Sequence, residues 1–553
     1  MNTSTRRGGA RALLSAWLLA LVVFGCGPKA PPVVPTTPPR TAATAPAAPT
    51  PTPAPTAPRP AATASSPAAS ASVPAAEERP TPVGQLRAEL DTLFGAAAFD
   101  RMLWGVEVQS LATGELLYAL NPTKLVMPAS NMKVVTLAAA AERLGWGYTF
   151  ETRLLAAGQV ERGVLQGDLV IVGTGDPTIN GRSGNATVVF EDWAARLRDA
   201  GITAIQGRVV ADDRSFDAET LGAGWSWDYL VYGYAAPVTA LQFNENVAEV
   251  LVRPGLALGS PASVSVRQEG TGLSVVNHVT TSPAGERPAI ELRRMAGSDR
   301  VEASGTIPLG SQETARTIAV DDPARFFAQA FRAVLVNRGI RVRDEGVAIR
   351  SLDTVPDLSS ATVLLTRQSP PLSEIAKVLM KVSQNLYAET LIKTLGLQSG
   401  EGSTEAGDKV VREVLDSWGV EPGSYLLVDG SGLSRYNYLT ADTLVRILRH
   451  IYLDPRHRGP FIEALPVGGV SGTEGGTLAR RFAGTRAAGN VHAKTGSIAN
   501  VRALSGFVQT VDGEPLVFSI IANNFTQPQA AIDATTDLAV ERLANFTRKP
   551  TTH

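Results

Sequence analysis

The stretch Met127-Pro-Ala-Ser-Asn-Met-Lys133, continued by Val134 to Leu144, decides how this chain is read. Pro128-Ala129-Ser130 opens a segment, Met132 to Leu144, rich in Ala, Val and Leu, which predicts a buried helix with Ser130 at its N-terminus. Residues three apart on a helix share a face, so the Lys133 amine is expected beside the Ser130 hydroxyl. The helix N-terminus adds free N–H groups and positive dipole potential at that hydroxyl. A serine hydroxyl is a poor nucleophile until a neighbouring base takes its proton. An amine with the ordinary lysine pKa of about 10.4 is protonated at neutral pH, and burial or a second cation would bring it down.

Two further strings follow in order, Ser383-Gln384-Asn385 and Lys494-Thr495-Gly496. Lys494 is the natural second cation. Ser383 can relay a proton between the lysines and a departing amine, and Asn385 supplies an amide to orient the substrate. Lys494 and Thr495, placed on an edge strand lining a cleft, offer charge-assisted hydrogen bonds to a substrate carboxylate. Gly496 would let a substrate backbone approach without a Cβ in the way. The N–H of Ser497 would join that of Ser130 in an oxyanion hole, where losing one donor costs about 3 kcal/mol. Only nine of the 51 basic residues are Lys, and lysine can shed its proton where arginine essentially cannot. Taken singly, Lys133 would pass for a solvated helix residue and Lys494 for a surface strand residue. With Ser383 and Asn385 they read as one site.

The length of 553 residues predicts two or three domains, and 51 basic against 52 acidic residues leave no electrostatic footprint for nucleic acid. Arg6, Arg7 and Arg11 precede an apolar run from Ala12 to Phe24, which reads as an export signal over residues 1–25. Cys26, the only cysteine, follows it like the lipidated Cys of a bacterial lipobox, with ordinary signal-peptidase cleavage as the alternative. Residues 26–84 are a Pro/Ala/Thr-rich linker. In a polyproline-like state, about 57 residues of it would reach about 175 Å, enough to tether an anchored enzyme to a distant polymer. The expected placement is exported, periplasmic and lipid-anchored to the outer membrane.

The folded part divides into residues 85–153, an inserted mostly-β region over 154–351, and 352–548. Trp104 to Leu120 alternates and turns at Thr113-Gly114, a hairpin signal. Asp168–Val172 and Gly207–Ala211 read as strands of the insert, and Asp322 to Gly339 as an amphipathic helix within it. Helical texture runs from Pro371 to Leu397 with Ser383 in its middle, then over 404–418 and 440–453. Two apolar runs around Asp512-Gly513 predict an antiparallel hairpin, and Ala530 to Phe546 a closing helix. Helices flanking an antiparallel sheet, interrupted by a β insert, make an α+β enzyme. Five scattered His residues, His492 included, show no metal spacing. Gly173-Thr-Gly175-Asp176-Pro177 reads as a turn after a strand. Trp225, Trp227, Tyr229, Tyr232 and Tyr234 read either as a cleft lining or as a cover over the insert's core.

The set Ser-x-x-Lys, Ser-x-Asn and Lys-Thr-Gly resembles that of penicillin-binding proteins and serine β-lactamases. The similarity extends over Leu86 to Phe546 through Met127–Lys133, Gly167–Asp176, Lys381-Val-Ser-Gln-Asn-Leu-Tyr-Ala-Glu389, Asp429-Gly-Ser-Gly-Leu-Ser-Arg435 and His492–Gly496. These segments resemble the penicillin-binding protein 4 family of D-alanyl-D-alanine carboxypeptidases/endopeptidases, the low-molecular-mass class C group. Gln384 departs from the Asp or Asn often found at its position. The resemblance implies a transpeptidase-like α+β domain carrying inserted domains and acting on peptidoglycan stem peptides, with β-lactams as covalent inhibitors and no cofactor or metal. It implies Ser130 as the acylated residue and Lys133 as proton acceptor. Ser383 and Asn385 would form the second element, Lys494, Thr495 and Gly496 would hold the terminal carboxylate, and Arg435 would support the cleft. A β-lactamase or esterase using the same nucleophile, and a non-catalytic wall-binding lipoprotein, are the competing readings.

Overall fold

The computed structural model describes residues 81–549 apart from 269 and 296. The signal, the lipobox with Cys26 and nearly all of the linker lie outside the described residues. The first helix, Pro82–Phe94, starts three residues before the expected boundary at 85. Thr81 caps it, its Oγ1 accepting from the Gly84 N–H at 3.1 Å, and Pro82 opens it with a preset φ. Among the described residues no helix is long and apolar enough to cross a membrane.

A five-stranded antiparallel sheet organises the part that carries the site, in the order Leu116–Leu120, Leu103–Ser110, Pro515–Asn523, Val501–Gln509, His492–Ile498. Both expected hairpins are present in it. The strand Pro515–Asn523 reads as an almost unbroken apolar run because both its faces are covered. Leu516, Phe518 and Ile520 pack in one layer with the helices Pro82–Phe94 and Gln529–Asn545. Val517 and Ile521 point the other way, into the layer built by Met132–Leu144, Asn385–Gln398 and Ala441–Leu453. The period-2 alternation of a strand thus sorts consecutive apolar side chains into two cores.

The insert is more mixed than its β texture suggests. A second five-stranded sheet runs Gly346–Ala348, Val209–Asp212, Asp168–Gly173, Glu151–Ala157, Thr362–Gln368, its last strand lying past residue 351 and the one before it starting at 151. Its first three strands are parallel and the last two pairings antiparallel. Helices accompany the parallel part, as the crossover between parallel strands requires. One is the expected helix, observed as Pro323–Asn337. The other, Val188–Asp199, went unread because it is short and its flanks are turn-rich. Its buried residues Phe190, Trp193, Ala194 and Leu197 nevertheless keep the i, i+3, i+4, i+7 spacing. Phe190 meets Trp193, Phe243, Phe327 and Phe331 at centroid distances of 4.8–5.6 Å in the centre of this core. Two three-stranded sheets and a four-stranded one, in the order Arg341–Val342, Ala204–Ile205, Val164–Leu165, Val160–Glu161, complete the insert.

The helix expected over Pro371 to Leu397 is broken. Leu372–Lys377 passes into a π-helical turn, Val378–Val382, and Ser383 takes the left-handed conformation at φ 64, ψ 39. Helix starts again at Asn385–Gln398, with the Gln384 side chain as its cap. Apolar periodicity runs through both pieces, so the sequence shows one helix where tertiary contacts impose a corner.

Candidate active site

Ser130 sits in a single 3-10 turn, Ala129–Asn131, directly ahead of the helix Met132–Leu144. The turn is bolted to the central sheet. Asn131 Nδ2 donates to Ser505 Oγ at 2.9 Å, and Asn523 brackets Met127 with a 2.8 Å bond from its N–H and a 3.0 Å bond to its carbonyl. Lys133 is completely buried, and its Nζ meets Ser130 Oγ at 3.0 Å, Asn385 Oδ1 at 2.6 Å and the Ser431 carbonyl at 2.7 Å.

Two of those three partners can only accept. The Asn385 amide is oriented by its other end, where Nδ2 donates to the Tyr234 carbonyl at 2.7 Å, so Oδ1 faces the lysine. A neutral amine has two N–H bonds and one lone pair. With the N–H bonds committed to Asn385 and Ser431, the lone pair is left for the Ser130 hydroxyl proton. Burial brings the Lys133 pKa down to about 7, against the opposing pull of the Asp429 and Glu389 carboxylates. Desolvation therefore does what the sequence reading shared with Lys494. The charge coupling registers on Lys494 instead, which is pushed well below the ordinary lysine range by burial first and by Lys133 second.

Lys494 lies on the edge strand His492–Ile498 and is fully buried. Its Nζ donates to Ser383 Oγ at 2.7 Å and to the Thr495 carbonyl at 2.7 Å. Thr495 Oγ1 donates to Thr477 Oγ1 at 2.8 Å. Gly496 has a tighter reason than substrate approach, since a Cβ there would lie 2.7 Å from the Pro128 carbonyl oxygen and 3.3 Å from the Ala129 Cβ. The missing side chain lets the edge strand reach the serine turn. Ser497 is exposed one residue further on. Arg435 spans the cleft wall, its Nη2 donating to the Ala499 carbonyl at 3.0 Å.

Asn385 has two partners within the protein. One end of its amide is held by Lys133 and the other by Tyr234, which leaves a single N–H for any substrate. The aromatic cluster divides. Trp225 Nε1 donates to Asp429 Oδ2 at 2.8 Å beneath the site, whereas Trp227 is largely exposed and Tyr232 stacks on Tyr234 at 5.4 Å. The strand ending at Gly173 does run into a turn at Asp176-Pro177. Glu142, Asp454 and His457 group closely enough to suggest a cation site, but the network is closed. Trp146 Nε1 donates to His457 Nδ1, the other ring nitrogen is bonded to Glu142, and Arg456 pairs with both acids.

Two buried acids under Lys133 were not singled out from the sequence. Glu389 accepts from the Ser431 N–H at 2.8 Å and the Gly430 N–H at 3.1 Å, fixing the turn whose carbonyl receives the lysine. Burial and Asp429 push its carboxyl up to about 8. Asp429 accepts from the Gly432 and Ser434 N–H groups at 2.6 Å, Asn437 Nδ2 at 2.7 Å and Trp225. The signal was available: Glu389 stands inside a mostly apolar helical run, four residues after Asn385 and four before Lys393, and Asp429 precedes a Gly-Ser-Gly turn.

A serine hydroxyl 3.0 Å from a buried lysine amine, with a second serine–lysine pair bonded at 2.7 Å, is the arrangement of the lysine-assisted serine hydrolases. The chain is a member of the D-Ala-D-Ala carboxypeptidase 3 (S13) family, whose pattern matches residues 86–545, and so is a serine peptidase of the D-Ala-D-Ala carboxypeptidase class. It is 36% identical over 472 residues to the D-alanyl-D-alanine carboxypeptidase of Actinomadura sp. (strain R39), covering 84% of this chain and 85% of that one. To D-alanyl-D-alanine carboxypeptidase DacB of Haemophilus influenzae it is 26% identical over 431 residues, 76% of this chain and 85% of the relative. The crystal structure of penicillin binding protein 4 (dacB) from Haemophilus influenzae shares the fold, with a TM-score of 0.71 at 24% identity over 83% of this chain and 99% of that one. The same Haemophilus protein has also been solved in complex with a β-lactam, with a TM-score of 0.67 to this chain at 23% identity.

Asp429→Ala would strand the buried Gly432 and Ser434 N–H groups and remove an acceptor from Asn437 and from the half-buried Trp225. It should lower unfolding free energy by about 3 kcal/mol or more, since each stranded buried donor costs about 1–3 kcal/mol, read from a urea unfolding curve.

Proposed function

We propose that the chain hydrolyses D-Ala-D-Ala stem peptides of peptidoglycan through an acyl-enzyme on Ser130, as carboxypeptidase and as endopeptidase on D-Ala-containing crosslinks. The observation that carries the reading is the 3.0 Å contact between Ser130 Oγ and a Lys133 amine whose other partners are both acceptors. Lys133 takes the hydroxyl proton as Oγ attacks the penultimate D-Ala carbonyl. The Ser130 and Ser497 N–H groups receive the oxyanion. Ser383, bonded to Lys494, passes a proton to the departing amine, and Lys494 and Thr495 hold the terminal carboxylate. An incoming carboxylate supplies the counter-charge that buried Lys494 lacks, so substrate binding and protonation of that lysine support each other. Water then attacks the ester, and Ser130 recovers its proton. A β-lactam follows the same route to acylation.

Placement follows from the N-terminal sequence: the basic and apolar segments direct export, Cys26 takes a lipid, and the Pro-rich linker lets the enzyme reach the wall. Cys26→Ser should move the protein from the membrane pellet to the soluble fraction on cell lysis. An unchanged distribution would remove the anchor.

Ser130→Ala should abolish labelling by a fluorescent penicillin and release of D-Ala from purified peptidoglycan. Lys133→Ala should fold and acylate about 100- to 10,000-fold more slowly, the usual contribution of a general base. A mass-spectrometric digest of the same peptidoglycan separates the two activities: loss of single D-Ala residues marks the first, monomers released from crosslinked dimers the second.

The acylation rate should also follow the Lys133 charge. Below a pKa of about 7 the ammonium has no lone pair, so the rate rises as pH passes through about 7 and levels off above it. A stopped-flow series that is flat from about pH 5 to about pH 8 would contradict an amine base.

A further inference from the structure

Lys381 stands two residues before Ser383, and its side chain is only 8% exposed. A buried ammonium is costly unless its N–H groups find acceptors. Here they find the Leu465 carbonyl at 2.9 Å, the Glu474 carbonyl at 3.2 Å and Glu474 Oε1 at 3.1 Å. All three acceptors come from one connecting loop, residues 465–477, which includes the single helical turn Gly472–Gly475.

That loop is fastened on its other side to the strand that carries Lys494. The Ala493 N–H donates to the Pro466 carbonyl at 3.1 Å and the Gly468 N–H to the Val491 carbonyl at 3.0 Å. Further along, Thr477 receives the Thr495 hydroxyl. Gly476, at φ +50, lies against the Lys381 main chain, where a Cβ would come within 2.3 Å of the Lys381 carbonyl oxygen. Lys381 is therefore the side chain through which the Val378–Val382 turn grips a loop that also holds the edge strand.

The turn needs such a grip. Ser383 follows it at φ 64 without being glycine, a conformation that persists only where its surroundings over-determine it. Ser383 Oγ is drawn to Lys494 on one side, and Lys381 is drawn to the 465–477 loop on the other.

We propose that Lys381 is a positioning residue of the reaction, its ammonium setting the spacing at which Ser383 meets Lys494 and Thr495. The inference rests on the reading of Ser383 as proton relay. A misplacement of about 1 Å at a reacting group can cost about 100-fold in rate. Lys381→Met keeps the length and apolar stem and removes the donor. It should slow penicillin acylation by about 100-fold while the protein remains folded by circular dichroism.

The discriminating measurement is the double variant. If Lys381 acts through Ser383, adding Lys381→Met to Ser383→Ala should change the acylation rate by less than about threefold, because the group it places is gone. A merely structural role would give additive losses. Additivity, or wild-type acylation by folded Lys381→Met, overturns the proposal. Should Lys381→Met fail to fold, Glu474→Ala decides: removing this half-exposed partner should cost about twofold to fivefold in wild type and nothing in Ser383→Ala. Loss in both backgrounds rejects the proposal. Absence of acylation in the wild-type enzyme itself would instead reject the proposed function, which keeps the two failures apart.

Discussion

The burial of one amine among acceptors is the constraint on which the site depends. Lys133 Nζ has no contact with water, and its fixed partners, Asn385 Oδ1 and the Ser431 carbonyl, use the hydrogens of the neutral form. Desolvation would drive its pKa further down were Asp429 and Glu389 not close by. The two acids serve as an electrostatic counterweight, and they also hold the backbone that presents the Ser431 carbonyl. Hydrogen-bond geometry and charge balance are set by the same few atoms.

Close main-chain packing makes that geometry possible. Gly496 brings the edge strand to the Pro128 carbonyl, and Gly432, at φ +83, passes so near the serine turn that a Cβ would fall 1.8 Å from the Ala129 carbonyl oxygen. The walls on either side of Ser130 are therefore backbone, which does not change rotamer. The sheet behind them is buried on both faces, so the turn 127–131 is referenced to the most rigid part of the molecule through Asn131 and Asn523. Catalytic groups held by such a scaffold need little reorganisation when charge develops.

Much of this was legible in the amino-acid order. The helix Met132–Leu144, the two hairpins and the pairing of Ser130 with Lys133 follow from local periodicity and spacing, which depend on neighbours in sequence. The break at Ser383 was not legible, because the groups around it come from far away in sequence, Lys494 at its hydroxyl lying 111 positions on. The parallel strands of the insert and the helix Val188–Asp199 were obscured by Gly- and Asp-rich turns that look alike in any β-rich region. Asn385 was read as a substrate contact because its spacing from Ser383 fits one. That its oxygen is consumed by Lys133, 252 positions distant, only the folded chain discloses.

Those long separations bear on when activity appears. The 3-10 turn and its helix can form locally, but the partners of Lys133 arrive from the far side of the whole insert, and the strand with Lys494 later still. Contacts so remote in sequence close late, after loop-closure entropy has been met by other parts of the structure. A partly folded molecule would therefore hold an exposed Ser130 beside a fully hydrated, protonated lysine and be inert. The serine gains its base only when these distant segments have closed around the lysine.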